Sequence, residues 1–346
     1  MKNSLRLFLF SLLLIPGVIF LSSLNGCSEK DKSDVPKDAP IKAGLVFDIG
    51  GRGDKSFNDA AFNGLERAKK DMGIDYEVID PGDGADRESA LRKLAFKKGI
   101  SIVFGVGFIF TEDITKVATE FTDKKFACVD YSIDEKTMIP ANLQALEFKE
   151  EEGSFLVGYL AALTTKTNKV GFLGGMESAL IKKFEAGYKQ GVKYGNPNCE
   201  VYSAYVSVNP DGFKNPGKGK EICLSQYDKG ADIIYHASGL SGLGLFEAAR
   251  EKKKLAIGVD LDQSKEAPGY VLTSMVKMVD QAVYTAIKEL RENSFTKGAK
   301  TLGLKEKGVD YVYDDTNKNL IPDDIRKKVE EVRAKIISGE IKVSAK

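Results

Sequence analysis

The sequence predicts an α/β protein built as two doubly wound lobes with parallel sheets, joined by a multi-strand hinge. Three observations lead there. From Ile41 onward, short apolar runs alternate with longer amphipathic stretches, the pattern of strand–helix units in a parallel sheet. The alternation completes one set and restarts near residues 145–150. After Asp260 too few elements remain for a third lobe, so the late ones are expected to return and complete the first two.

The elements follow in order. Lys42–Phe47 reads as the first strand. Phe57–Met72 places Phe57, Ala60, Ala61, Gly64, Leu65 and Ala68 near a 3.6 period, which makes it the first helix, with Ser56 as its N-cap. Strand Tyr76–Ile79, helix Asp86–Lys98, strand Ile100–Phe104, helix Asp113–Phe121 and strand Phe126–Val129 complete the set. A strand at Leu143–Phe148 leads into the second set. There, helices at Glu151–Thr164, Ser178–Tyr194, Gly217–Lys229 and Gly242–Lys252 alternate with strands at Lys169–Leu173, Val201–Tyr205, Ile233–His236 and Leu255–Val259.

A strand at Val271–Met275 and helices at Val279–Glu292 and Asp324–Ser338 remain. The N-terminal lobe is accordingly assigned residues 41–145 with about 262–302, and the C-terminal lobe 146–261 with about 303–346. Ligands of open α/β sheets sit outside the carboxyl ends of the strands. Two facing lobes therefore enclose one cleft, the expected site.

The ends and composition narrow the class. Lys2 and Arg6 precede an apolar stretch, Leu7–Leu21, that is broken by Pro16-Gly17 and ends in Leu24-Asn25-Gly26-Cys27. A membrane-spanning helix needs about 20 continuous apolar residues, so 1–26 reads as a signal peptide. The residues before Cys27 form a relaxed lipobox, with small Gly26 giving a peptidase access to the bond. Cys27 is then the lipidated residue, or else simply the end of an ordinary signal. Residues 27–40, rich in Lys, Asp, Ser and Pro, form the tether to the bilayer.

Roughly 300 residues follow, enough for two domains with their own cores. The formal net charge of +1 and the absence of a concentrated basic segment argue against nucleic acid as a partner. Of the cysteines beyond the anchor, Cys128, Cys199 and Cys223, an odd number, do not read as a disulfide framework; pairing of Cys199 with Cys223 is left open.

The polar and glycine residues of interest fall at strand ends. They are Asp48, Ser56-Phe57-Asn58, Gly105-Val106-Gly107-Phe108 and Asp130 in the first half. The second half adds Gly174-Gly175, Phe184, Ser238-Gly239 with Gly242 and Gly244, Asp260, and Lys277. Each has a plain reading: Phe57 as core, an Asp after a strand as a helix cap, the glycines as packing positions. Their convergence on one cleft favours a binding pocket.

Gly44–Asp48 followed by Asp54-Lys55-Ser56-Phe57-Asn58 resembles the D-x-S-F-N signature of the basic membrane protein family of bacterial lipoproteins. Further matching segments are Lys169–Gly175 with Phe184-Glu185-Ala186-Gly187, Gly230–Ile234, and Ala256–Asp260 with Leu272-Thr273-Ser274 and Lys277. They run in order through nearly the whole mature chain. The resemblance implies a type I periplasmic-binding-protein fold, no catalytic activity, no cofactor or metal, and a pocket at Asp48, Phe57, Asn58, Asp130, Phe184, Gly239, Asp260 and Lys277. Ser238–Gly244 departs from the family's commoner glycine-threonine-glycine run, which puts selectivity there in doubt.

The best-understood members of that family are purine nucleoside receptors, and these residue types suit such a ligand. Phe57 and Phe184 are expected to sandwich the base. Asp260 is expected to hold the ribose hydroxyls with Lys277 balancing its charge, while Asp48, Asn58 and Asp130 read the base edge or the remaining hydroxyl. The resemblance further implies delivery to an ABC permease, and a one-ligand cleft needs only a monomer. A sugar or polyol ligand, or a surface interaction role, are the alternatives.

Three other features carry less. Gly50–Ser56 lies between a strand and a helix like a phosphate loop, but Asp54 stands where the motif needs Gly. His236, the sole histidine, excludes His-based zinc sites and most hydrolase triads and is assigned a structural role. Glu147–Glu152 reads as a solvated helix start whose acids suit the dipole.

Overall fold

The structure, a computed structural model, describes residues 40–82, 86–134 and 136–346. The expected signal peptide, Cys27 and all of the expected tether but its last residue lie outside the described residues.

The first sheet contains β1 (Lys42–Val46), β2 (Asp75–Ile79), β3 (Ile100–Val106), β4 (Lys125–Val129), β5 (Leu143–Phe148) and β11 (Gly298–Leu302), in the order β11-β5-β4-β3-β1-β2. All its pairings are parallel. The second contains β6 (Lys169–Met176), β7 (Glu200–Ser207), β8 (Ile233–Ala237), β9 (Leu255–Asp260), β10 (Val271–Lys277) and β12 (Val309–Tyr311), in the order β12-β10-β9-β8-β6-β7. Only β12 runs antiparallel, against β10. Both sheets share one winding, with the switch point beside β1 in one and β6 in the other, where open sheets bind ligands.

Helices α1 (Phe57–Met72), α2 (Arg87–Phe96), α3 (Thr111–Glu120), α4 (Glu150–Thr164), α5 (Ala179–Gly195), α6 (Pro216–Asp228), α7 (Leu243–Lys252), α8 (Val279–Arg291) and α9 (Asp323–Ser338) cover the sheets. Because both sheet faces are covered, the central strands are apolar on both sides, as the nearly continuous burial of β3, β8 and β9 shows. Helix α1 stops at Gly73, whose φ of 63° is left-handed. Its N-terminus is less usual. Ser56 makes no side-chain cap; the Asp54 carboxylate instead accepts from the N–H groups of Ser56, Asn58 and Asp59.

The late elements return to both lobes, but the division within 262–302 differs from expectation. β10 is buried between β9 and β12 in the second sheet, so residues 271–277 belong to the C-terminal lobe. Its side chains are buried on both faces, which an edge position in the first sheet would not provide. From Val279 the chain is in the N-terminal lobe: α8 packs on α1, and β11 pairs with β5. β5 also stays wholly in that lobe, moving the first crossing to Lys149. Three crossings result, at Lys149, at Met278, and between β11 and β12.

Sequence reading missed β11 and β12. Gly298–Leu302 is partly exposed at a sheet edge and Val309–Tyr311 has three residues, so neither shows a buried strand's apolar run. Helices α4 and α5 cross closely; a Cβ on Gly187 would stand 2.2 Å from the Glu151 carbonyl oxygen. That contact seats the start of α4 against the second lobe, beside the cleft.

Candidate functional site

The carboxyl ends of β1 and β4 in one lobe face those of β8, β9 and β10 in the other across a cavity. All eight predicted pocket residues line it: Asp48, Phe57, Asn58, Asp130, Phe184, Gly239, Asp260 and Lys277. Phe108 and Phe213 also contribute to the wall.

Asp48 follows β1. Its Oδ1 accepts the Ile49 N–H at 2.7 Å, and its own N–H donates to Asn58 Oδ1 at 2.8 Å. Asn58 Nδ2 donates to Asp54 Oδ2 at 3.1 Å. Asn58 therefore braces the loop between β1 and α1 as well as lining the cavity. Burial pushes the Asp48 carboxyl up to about 7 against the Ile49 hydrogen bond, and the nearby Asp130 charge adds to the rise.

Gly107, at the end of β3, makes room for that carboxylate. Its φ is 108°, and a Cβ there would stand 2.1 Å from Asp48 Oδ2. Gly107→Ala is expected to destabilise the fold by about 1–3 kcal/mol through backbone strain and to push Asp48 out of place. A chemical melt with an unchanged midpoint would remove this role from Gly107.

Asp130 and Asp260 leave β4 and β9 with φ of 61° and 65°, left-handed values that Asp tolerates better than most residues. Lys277, only 2 % exposed at the end of β10, reaches across the cleft to Asp130 Oδ1 at 2.6 Å. Its ammonium also lies 2.9 Å from Glu150 Oε1. Burial alone would lower the Lys277 ammonium, but the charges of Asp130, Glu150 and Asp260 hold it above the usual lysine range. Asp130 is pushed up to about 6 by burial, against the pull of Lys277.

Phe57, from α1, and Phe184, from α5, lie on opposite lobes. Lys277 Nζ is 5.2 Å from one ring centroid and 5.4 Å from the other, with Phe148 at 4.9 Å, so three π faces share the cation. The aromatic pair and the cation therefore form one cluster.

Asp260 differs from expectation in its partner. It accepts a hydrogen bond from the Ser56 hydroxyl, and Lys277 acts on it only through space, its ion pairs being made with Asp130 and Glu150. Burial pushes the Asp260 carboxyl up to about 7 despite Lys277 and Ser56.

The glycines of the variant loop divide. Gly239 lines the cavity with a φ of 53°, whereas Gly242 and Gly244 serve packing, against the His236 ring and the Pro216 carbonyl. His236 is fully buried between Ser238 Oγ, 3.2 Å from Nδ1, and Gln263 Oε1, 2.9 Å from Nε2, and burial lowers it to about 4. Its role is structural, as read from the sequence. The three cysteines beyond residue 40 are all free.

Sequence reasoning misjudged Glu150. The expected solvated helix start is buried at both Glu150, 0 % exposed, and Glu151, whose carboxyl burial pushes up to about 7. Three consecutive acids look like a charged helix face. Their burial follows from the chain's crossing between lobes at Lys149, which turns the helix start into the cleft. Phe213 was also missed; it stands in the turn-rich Asn209–Pro216 loop, where an isolated Phe carries no periodic signal.

Comparison with known proteins agrees with this architecture. Residues 41–346 match the family model described as ABC transporter substrate-binding protein PnrA-like. The chain is 36% identical to Basic membrane protein A of Borreliella burgdorferi over 95% of its own length and 93% of that protein. It is 33% identical to an uncharacterized lipoprotein of Pyrococcus abyssi, covering 86% of this chain and 75% of the other. A crystal structure of ABC transporter system solute-binding proteins from Aeropyrum pernix superposes with a TM-score of 0.81 at 30% identity, covering 89% of this chain and 94% of that one. With a family match across both lobes and these full-length similarities, the chain belongs to the PnrA-like family of ABC transporter substrate-binding proteins.

Proposed function

We propose that this substrate-binding protein takes up purine nucleosides in the interlobe cavity and presents them to an ABC permease while held to a bacterial membrane through lipidated Cys27. The observation that carries this reading is an aromatic ring from each lobe, Phe57 and Phe184, lining one cavity with the carboxylates of Asp48, Asp130 and Asp260. A purine offers two flat faces for rings, and base–aromatic stacking contributes about 1–3 kcal/mol per base. The ribose offers hydroxyl donors for carboxylates. The cavity is lined by the acids Asp48, Asp54, Asp130 and Asp260 with Lys277 as the one cationic side chain in that lining, and Lys277 is already paired with Asp130 and Glu150, an arrangement that disfavours a phosphorylated ligand. One ligand fills one cleft, so a monomer suffices.

A thermal-shift screen of the mature chain against nucleosides, free bases, nucleotides and sugars tests the reading. Guanosine, inosine or adenosine at a hundredfold excess over the dissociation constant should stabilise the protein by about 2.7 kcal/mol, and the corresponding nucleotides should not. A shift with sugars but no nucleoside would replace the purine by a polyol.

A further inference from the structure

Ser56 is completely buried at the start of α1, yet its hydroxyl does not cap that helix; Asp54 satisfies the exposed N–H groups instead. The hydroxyl is thereby released for a different partner, and it donates across the cleft to Asp260 Oδ2. Next to it, the Lys55 carbonyl accepts from Gln263 Nε2 at 2.9 Å, again across the cleft. Lys55 holds a left-handed φ of 54°, a conformation unusual for Lys, as it presents that carbonyl.

Gln263 is itself fixed from several sides. Its Oε1 accepts from the Val259 N–H at 2.8 Å and faces His236 Nε2 at 2.9 Å, and its N–H donates to Ser274 Oγ at 3.1 Å. With Oε1 occupied by donors, its Nε2 is oriented toward Lys55. A rigid socket in the second lobe thus meets a rigid loop of the first.

We propose that Lys55-Ser56 is a closure clasp, with Ser56 a positioning residue that holds Asp260 and the loop between β1 and α1 in the closed cleft through Asp260 and Gln263. Both bonds join residues about 200 positions apart on different lobes, and neither can persist when the lobes separate. The clasp itself is independent of ligand identity. Its effect on nucleoside release rests on the function proposed above.

The test uses the mature chain with Ser56→Ala, Ser56→Thr and Gln263→Glu. Gln263→Glu keeps the acceptor oxygen but sets a second oxygen against the Lys55 carbonyl. Stopped-flow fluorescence reads guanosine dissociation, and small-angle X-ray scattering of the ligand-free proteins reads lobe opening. Loss of a hydrogen bond to a charged group should raise the off-rate of Ser56→Ala about tenfold, with an association rate near wild type. Gln263→Glu should act in the same direction, Ser56→Thr should recover most of the loss, and the ligand-free scattering of the first two should shift toward an open form.

Off-rates within twofold of wild type and superimposable scattering in both clasp variants would overturn the clasp. If guanosine fails to bind the wild type, the nucleoside reading falls while the scattering comparison still decides the clasp. Should Ser56→Ala not fold, Gln263→Glu carries both readouts from the other lobe.

Discussion

Lys277→Met is expected to cost about 3–5 kcal/mol of stability, because removing the buried cation leaves Asp130 without its ion-pair partner and Glu150 with only the more distant Lys183. The side chain is 1 % exposed and lies between Asp130 and Glu150. Methionine fills the space of the lysine stem but offers neither carboxylate a charge. The deficit should depend on pH. Burial already pushes Asp130 up to about 6 with Lys277 in place, and without the cation it rises further. The variant therefore binds an additional proton in its folded state as pH falls, and its deficit shrinks from pH 8 to pH 5. The wild-type ammonium stays charged throughout, since its folded value lies above the usual range and its contribution is lost only on strong alkalinisation. Urea melts at both pH values check this; equal deficits would mean that Lys277 does not neutralise the buried carboxylates.

Asp260→Ala should weaken guanosine binding by about a hundredfold or more, on the scale of losing hydrogen bonds to a buried charged acceptor together with pocket shape. Binding should also be coupled to protons. The Asp260 carboxyl, ordinarily near 3.8, is pushed up to about 7 in the buried cleft. Its ionisation is therefore disfavoured by folding, and stability contributed by the protonated form declines as pH rises from the ordinary value to about 7. Ligand hydroxyls donate to the ionised form and draw the value down again. Wild-type binding then releases protons near pH 7 and weakens toward pH 5. Calorimetry in buffers of different ionisation enthalpy measures that release; Asp260→Ala should show less of it. Wild-type affinity in the variant would remove the ribose role from Asp260.

What the sequence by itself determined was the α/β class, the two-lobed repeat and the set of residues at the strand ends. Periodicity of 2 and 3.6 is written locally, and strand ends follow from it, so Asp48, Asp130, Asp260 and Lys277 were legible as neighbours of one cleft. The family resemblance assigned Phe184 and Gly239 to the pocket, where periodicity alone would have left them in the core or in packing.

Only the tertiary structure decided which groups touch. Glu150 read as a solvated helix acid, yet a chain crossing at Lys149 buries it beside Lys277. Ser56 read as a helix cap, yet Asp54 takes that role and Ser56 reaches Asp260 on the other lobe. β10 read as part of the first lobe, yet its two buried faces place it between β9 and β12. The physical reason is common to all three. Burial and ion pairing depend on contacts between segments far apart in the chain, and a local pattern of apolar and polar residues carries no record of which distant surface will cover it.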